Sequence, residues 1–276
     1  MQSLHVMKYL KRQYDKIVIL SKVSFQLGDG MWMRLYMLLG GLWLLINDSW
    51  KSDLKLNIRI RYSNRIGEFL VSDFSDYELF NEIFLSNSYP AVSDKEKLII
   101  VDLGANVGIS ALFFKMIYPD SIIYCVEPDQ NNLIRLKMLE KNFENLFVID
   151  KAVWSENDFI PIYSNPIRGS SSSLISDSDN RNKMLIESIS LDKLIELIDV
   201  ERIDLLKFDI EGAEHEVFTK YSDYHKIDNV FGEVHGDMIN SDDIFNIFKK
   251  NYYFVIIKKM QKADRYYLYA MNKEQK

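Results

Sequence analysis

The sequence predicts an α/β protein built on a doubly wound sheet, preceded by a helical and hairpin extension. Three observations carry this. From Leu98 onward, short apolar runs alternate with amphipathic helical stretches. The first of these runs ends in a glycine turn, Asp102-Leu103-Gly104-Ala105-Asn106-Val107-Gly108. The last two, Tyr252–Ile257 and Tyr266–Ala270, are joined by a short polar link and should pair antiparallel. Alternation of this kind covers both faces of a mostly parallel sheet with helices.

Element by element, residues 1–50 read as helical, and Leu54–Tyr62 with Ile66–Val71 as a hairpin across Ser63-Asn64-Arg65. Asp76–Leu85 has helical spacing, with Ser75 as its candidate cap, and Tyr89-Pro90 followed by the charged run 93–97 marks a boundary. An extension over 1–92 and a main domain over 93–276 follow. In the main domain, strands are expected at Leu98–Leu103, Ile122–Val126, Leu146–Val153, Ile186–Ile189, Ile203–Ile210 and Asn229–Val234. Helices are expected at Ile109–Tyr118, Asn131–Phe143, Leu191–Ile198, Ala213–Tyr221 and Asp242–Lys250. Phe159–Tyr163 reads as a hairpin-like excursion, and the serine run 170–173 after Gly169 as either a linker or a substrate-facing lid.

Bulk composition limits the function classes. With 276 residues, 47% hydrophobic and 27% charged, the chain can bury a full core. Eleven Gly and five Pro exclude collagen-like or long disordered tracts. The single cysteine, Cys125, lies in an apolar run, precludes an intramolecular disulfide and fits a reducing compartment. Residues 1–16 lack the apolar core of a signal peptide, so a cytoplasmic location is expected. The apolar stretch Leu35–Ile46 falls short of the roughly 20 residues a spanning helix needs.

Charge is uneven. Residues 1–65 carry 11 Lys/Arg against 4 Asp/Glu, so the net −6 divides into +7 there and −13 beyond. The acidic remainder argues against a nucleic-acid partner. The basic, apolar head either caps the domain or lies on an anionic membrane surface, which would place the chain at the inner membrane face.

Ligands of doubly wound sheets bind beyond the carboxyl ends of the strands. Gly104 and Gly108 allow close backbone approach, and the next helix offers free N–H groups. The dinucleotide fingerprint wants glycine at first, third and sixth positions; counted from Gly104, Asn106 and Ile109 stand at the last two. Asp102 is ill suited to a pyrophosphate and well suited to the ammonium of S-adenosyl-L-methionine, which carries no phosphate. Ala105 and Asn106 complete the turn. Glu127, before Pro128 at the second strand's end, is placed to accept ribose hydroxyls. Asp150 and Ala152, after the third strand, would reach the adenine edge.

Further on, strand Ile203–Ile210 ends at Asp209, with Glu211 and Glu214 close behind, and another strand ends Glu233-Val234-His235. Carboxylates gathered at one sheet edge repel each other, a cost more readily understood at a functional site. They could hold a cofactor amine, a hydroxyl, a proton or a metal, and no metal is assigned. Glu233 and His235 share a strand face. His235, expected to titrate near neutrality, is the preferred base.

Together the segments Val101–Gly108, Val126-Glu127-Pro128, Lys151-Ala152-Val153, Leu206–Glu214 and Gly232-Glu233-Val234-His235 resemble the FkbM-like methyltransferases. The order and spacing match over about 98–236, and Ser75–Phe80 is more loosely similar. The resemblance implies a seven-stranded, Rossmann-like class I methyltransferase sheet. It also implies methyl transfer to oxygen on sugars, glycans or polyketide-like products. The expected function is O-methylation of a sugar or glycan hydroxyl, the acceptor being free or lipid-linked. Asp209, Glu211 and His235 are the catalytic candidates, and Asp209 is also a candidate for the cofactor. Methylation of another small-molecule hydroxyl and a nicotinamide-dependent oxidoreductase are the alternatives.

Overall fold

The computed structural model describes residues 2–47, 54–86, 88–89, 92–93, 97–164, 172–173, 182–260 and 264–272. It divides into one unit of residues 1–90 with 112–117 and a second of residues 91–111 with 118–276.

The first unit holds α1 (Gln2–Leu27), α2 (Met31–Ile46), β1 (Leu56–Tyr62), β2 (Arg65–Val71) and α3 (Phe74–Phe80), the last running into a π-helical turn at Asn81–Leu85. Alternation in β1 buries Leu56, Ile58 and Ile60 on one face. The hairpin turns at Ser63 and Asn64, both in the left-handed region that such two-residue turns demand. α1 meets α2 closely at Gly41, where a Cβ would fall 2.2 Å from Leu20 Cδ1. Tyr77 Oη donates to Met37 O at 2.8 Å, tying α3 to α2. The cap of α3 is Asp73, not Ser75. Asp73 accepts from the Ser75 N–H, and Asp76 reaches back to the cap's own N–H.

The second unit opens with β3 (Ile99–Leu103), α4 (Ile109–Ile117), β4 (Ile122–Val126), α5 (Gln130–Glu140) and β5 (Leu146–Ile149). Next come β6 (Ala152–Val153), β7 (Phe159–Ser164), β8 (Ser172–Ser173), β9 (Asn182–Ile189) and α6 (Leu191–Ile198). β10 (Ile203–Phe208), α7 (Glu214–Lys220), β11 (Ile227–His235), α8 (Ser241–Asn251), β12 (Phe254–Lys259) and β13 (Arg265–Met271) complete it. Its main sheet has seven strands in the order β12-β13-β11-β10-β3-β4-β5. β13 runs antiparallel to both neighbours, as the short terminal link requires, and the other pairings are parallel. Strand order reverses between β3 and β10, which creates the switch point where ligands of such sheets bind.

Aromatic packing anchors β10 to α7 and α8. Phe208 lies edge-on to Phe218 of α7 at 4.9 Å and stacks at 6.2 Å on Phe248 of α8. Cys125 is buried in β4 and forms no disulfide.

Three details differ from the sequence expectation. The run Leu146–Val153 is two strands: a turn at Lys151 sends Ala152–Val153 out of the main sheet to pair with β9. β10 stops at Phe208, so Asp209 stands just beyond the strand. Of the serine run, residues 170–171 lie outside the described residues, as does Gly169, while Ser172 and Ser173 pair with Ser164 and Tyr163.

Candidate active site

β3 and β10 lie side by side, with Asp102 opposite Lys207. Lys207 is buried in the run Leu205-Leu206-Lys207-Phe208, and its Nζ sits 2.9 Å from Asp102 Oδ1. The same ammonium donates to Gly104 O at 2.9 Å. Ser110, at the start of α4, donates its Oγ–H to Asp102 Oδ2 at 2.5 Å. Asp102 is thus fully buried and engaged on both oxygens. This corrects the expectation that Asp102 meets the cofactor's ammonium: the cation it meets belongs to Lys207, and the pair fixes the turn from beneath.

Gly104 is obligatory at its position. Its φ is +73°, and a Cβ there would lie 1.9 Å from Asp209 O. The glycine turn therefore rests directly on the backbone that carries Asp209. Asn106 is left-handed too (φ +51°), a conformation asparagine tolerates better than most residues.

Glu127, at the end of β4, closes the turn from the other side. Oε2 accepts the Asn106 N–H at 2.8 Å, and Oε1 accepts from Asp129 N at 2.9 Å and Asn132 Nδ2 at 3.1 Å. Burial raises its pKa to about 7, against the lowering effect of these three donors. A carboxylate has about four acceptor positions, so one remains for an incoming hydroxyl. Asn106 Oδ1 and Asp209 Oδ1 are buried acceptors without a hydrogen-bond partner. A ligand seated here must supply N–H or O–H donors to satisfy them.

Pro128 is half-buried beside Glu127. The adenine-edge candidates are not brought to this point together. Asp150 is exposed and held by Gln130 Nε2 at 3.0 Å and Lys137 Nζ at 3.4 Å, whereas Ala152 is buried in the small sheet with β9.

The second group lies at the ends of β10 and β11. His235 is fully buried, its Nδ1 2.6 Å from Glu214 Oε1. Its Nε2 faces Glu211 Oε2 at 3.4 Å, Asp209 Oδ1 at 3.6 Å and Glu233 Oε2 at 3.6 Å. Burial alone would lower the pKa of the imidazole. The hydrogen bond that Nδ1–H donates to Glu214 and the charges of Glu214, Asp209 and Glu211 outweigh it, and the pKa rises to about 9. The surrounding carboxylates therefore favour the protonated imidazole, whereas the sequence reading has it titrate near neutrality. Burial, then the charge of Asp209, pushes the Glu211 carboxyl up. Glu211 also stands at φ +48°, a strained conformation for a side chain of its kind. Asp209 and Glu211 remain the accessible members, 39% and 31% exposed.

The structure adds residues to which sequence reasoning gave no role of their own: Lys207, Ser110, Asn132 and Arg265. Arg265 approaches Glu211 at 3.7 Å and Glu233 at 3.9 Å. A lysine inside the buried run Leu205-Leu206-Lys207-Phe208 was the available signal, since a buried charge needs a partner.

A glycine turn closed by an acid on the neighbouring strand, with carboxylates gathered at the adjoining strand ends, defines an α/β enzyme of the methyltransferase class. The chain belongs to the methyltransferase FkbM domain family, which matches residues 102–263, more than half of its length. It is 26% identical over 198 residues to Methyltransferase 1 of Beauveria bassiana (strain ARSEF 2860), covering 60% of this chain and 80% of that one. With Methyltransferase sdnD of Sordaria araneosa it shares 24% identity over 197 residues, 59% of this chain and 75% of the relative. The crystal structure of methyltransferase FkbM from Methylobacillus flagellatus KT is similar with a TM-score of 0.48 and 13% identity. That match covers 93% of this chain and 59% of the other, so the chain spans less than two thirds of that longer protein.

Two substitutions test this arrangement. Lys207→Met leaves Asp102 buried without its cation and should cost about 3–5 kcal/mol. Adding Asp102→Asn should recover at least about half of that loss; denaturant unfolding measures both, and a single-variant cost below about 1 kcal/mol would remove Lys207 as the anchor. Glu211→Gly relieves a left-handed strain of roughly 1–2 kcal/mol. Its melting temperature should hold or rise while methyl transfer falls, and a marked loss of stability would contradict the strain.

Proposed function

We propose that this protein transfers the methyl group of S-adenosyl-L-methionine to a hydroxyl of a sugar or glycan. The observation that carries the reading is the lining of the glycine turn: Glu127, Asn106 Oδ1 and Asp209 Oδ1 are all acceptors. The ribose hydroxyls and the ammonium of adenosylmethionine are donors, and its positive sulfur suits an acidic edge. A dinucleotide would bring pyrophosphate oxygens, which are acceptors only, to the same place.

When bound, adenosylmethionine supplies an electrophilic methyl group on positively charged sulfur. Glu127 takes a ribose hydroxyl, and Asn106 holds the amino-acid end. Asp209 and Glu211 accept the hydrogen bond of the acceptor hydroxyl. Glu211 would accept the proton that the acceptor hydroxyl gives up when it takes the methyl group. Holding the reactants in line can lower the barrier by up to roughly 7–11 kcal/mol in ideal cases. Two accessible carboxylates at one edge suit an acceptor with several hydroxyls, which supports a sugar over a simple alcohol.

We further infer that the first unit rests on an anionic membrane surface, which suits a lipid-linked acceptor. Trp32 is 86% exposed, and Leu39, Trp43 and Ile46 share its exposure along α2. On α1, exposed Tyr9, Leu10 and Tyr14 stand among exposed Lys8, Lys11 and Arg12. Among the described residues no helix is long and apolar enough to cross a membrane. The +7 charge of residues 1–65 complements anionic lipid headgroups.

Glu127 gives this reading a pH signature. Its folded pKa lies near 7, above the ordinary 4.5, so the folded state holds a proton that the unfolded state releases. That contribution to stability is present below about 4.5 and lost as pH rises towards 7. Hydroxyl donors favour the ionised form, so cofactor affinity should rise between about pH 6 and 8. Calorimetry with adenosylmethionine should show this rise in the natural protein and a flat, at least tenfold weaker profile in Glu127→Gln. Equal affinity in the two proteins would end the assignment. For the head, flotation at low salt should carry the protein with phosphatidylglycerol vesicles and not with phosphatidylcholine vesicles. Trp32→Ala together with Trp43→Ala should reduce that binding, and no binding to anionic vesicles would leave the head without a membrane role.

A further inference from the structure

We infer that the ends of β10 and β11 form a divalent cation site made by Asp209, Glu233 and His235. One ligand atom from each of these residues lies within 4.8 Å of the others, a spacing that a metal could draw together by small side-chain movements. Acidic clusters are common on protein surfaces, and a second feature separates this one. His235 is fully buried, and its Nε2 has no hydrogen-bond partner although it points into three carboxylates. A divalent ion seated among them would displace the Nε2 proton and take up the lone pair it leaves.

The support behind the imidazole is of the kind metal-binding histidines use. Glu214 is fully buried and lies 2.6 Å from His235 Nδ1. It accepts the hydrogen bond of Nδ1–H, so that Nε2 is the nitrogen left to the ion once its proton is displaced, and it fixes the plane of the ring. Glu214 is itself held by the Gly212 N–H at 3.3 Å. The ring therefore cannot turn away without abandoning a buried carboxylate.

Charge points the same way. Asp209, Glu211, Glu214, Glu233 and Asp237 surround the site, and the cations facing them are His235 itself and Arg265. Arg265 reaches Asp237 at 3.4 Å but Glu211 and Glu233 only at 3.7 and 3.9 Å, too far for good hydrogen bonds. A divalent ion in place of the imidazolium proton would neutralise more of the excess.

Two carboxylates and one imidazole form a mixed oxygen–nitrogen set suited to manganese or a similar hard-to-borderline ion. Three protein ligands leave positions open, and Asp209 and Glu211 mark the side open to solvent. Vicinal hydroxyls of a sugar are the ligand class that would complete the coordination. That role rests on the methyl-transfer reading, whereas binding of the ion does not.

Manganese binding is read directly by the loss of the free-ion electron paramagnetic resonance signal when the full-length, metal-stripped protein is titrated. One equivalent should bind, and Asp209→Asn and Glu233→Gln should each weaken it at least tenfold. Glu214→Gln should weaken it 10- to 100-fold through the ring alone. Glu214 is deeply buried, so Glu233→Gln, at a half-buried strand end, carries the test if that variant fails to fold. No uptake at millimolar manganese, or uptake unchanged in Asp209→Asn and Glu233→Gln, overturns the site. Calorimetry with adenosylmethionine on the metal-free protein separates the two readings. Cofactor binding without manganese uptake removes the metal site alone, and manganese uptake without cofactor binding removes the methyl-transfer reading alone.

Discussion

One buried ion pair holds the cofactor end of this molecule in shape. Lys207 lies in the middle of the sheet, reaches Asp102 on the next strand, and donates to the carbonyl of Gly104 in the turn above. Ser110 completes the set from the first turn of α4. Three elements that must keep their relative positions, β3, β10 and the helix start, are thus joined through one carboxylate. Buried pairs of this kind seldom add stability over an apolar replacement. What this one supplies is geometry: Gly104 is pressed against Asp209 O, so the glycine turn and the carboxylate-bearing end of β10 share one backbone contact.

The adjoining edge works in the opposite sense. Glu211 is strained at φ +48°, and the carboxylates around His235 outnumber the cations facing them. Nothing about folding requires this crowding, because a mixed or neutral edge would be more stable. The aromatic packing of Phe208, Phe218 and Phe248 directly beneath supplies stability that the crowded edge lacks. Strain of this sort survives only where the surrounding structure over-determines it, and such places tend to be functional.

Most of the sheet was legible from the sequence because buried parallel strands read as unbroken apolar runs and their helices as amphipathic ones. The same reasoning misplaced what depends on distance in space. Asp102 looked free because Lys207 lies 105 positions away in the chain, and only strand order makes them neighbours. His235 looked like a near-neutral base because the partner that changes its proton affinity, Glu214, sits on another element. Local pattern also merged two strands at Leu146–Val153, since a turn at Lys151 leaves no glycine or proline mark. What pattern did locate was the neighbourhood. Asp209, Glu211, Glu233 and His235 were singled out as strand-end residues, and the structure gathers them around one imidazole.

The choice between nucleoside and dinucleotide is decided by a different property from the one first used. Counting glycines disfavours a pyrophosphate because Asn106 occupies the third position of the dinucleotide fingerprint. Yet Asn106 adopts φ +51°, so its backbone does what a glycine would do there. Backbone shape at that residue is therefore no barrier. The barrier is electrical: Glu127 reaches across to bond the Asn106 N–H, using a donor that a phosphate would need. The remaining orphan groups, Asn106 Oδ1 and Asp209 Oδ1, are acceptors that a phosphate oxygen would only repel. A ligand that brings hydroxyls, an ammonium and a positive sulfur meets none of these objections, because each of its polar groups is of the opposite kind to the protein group it approaches.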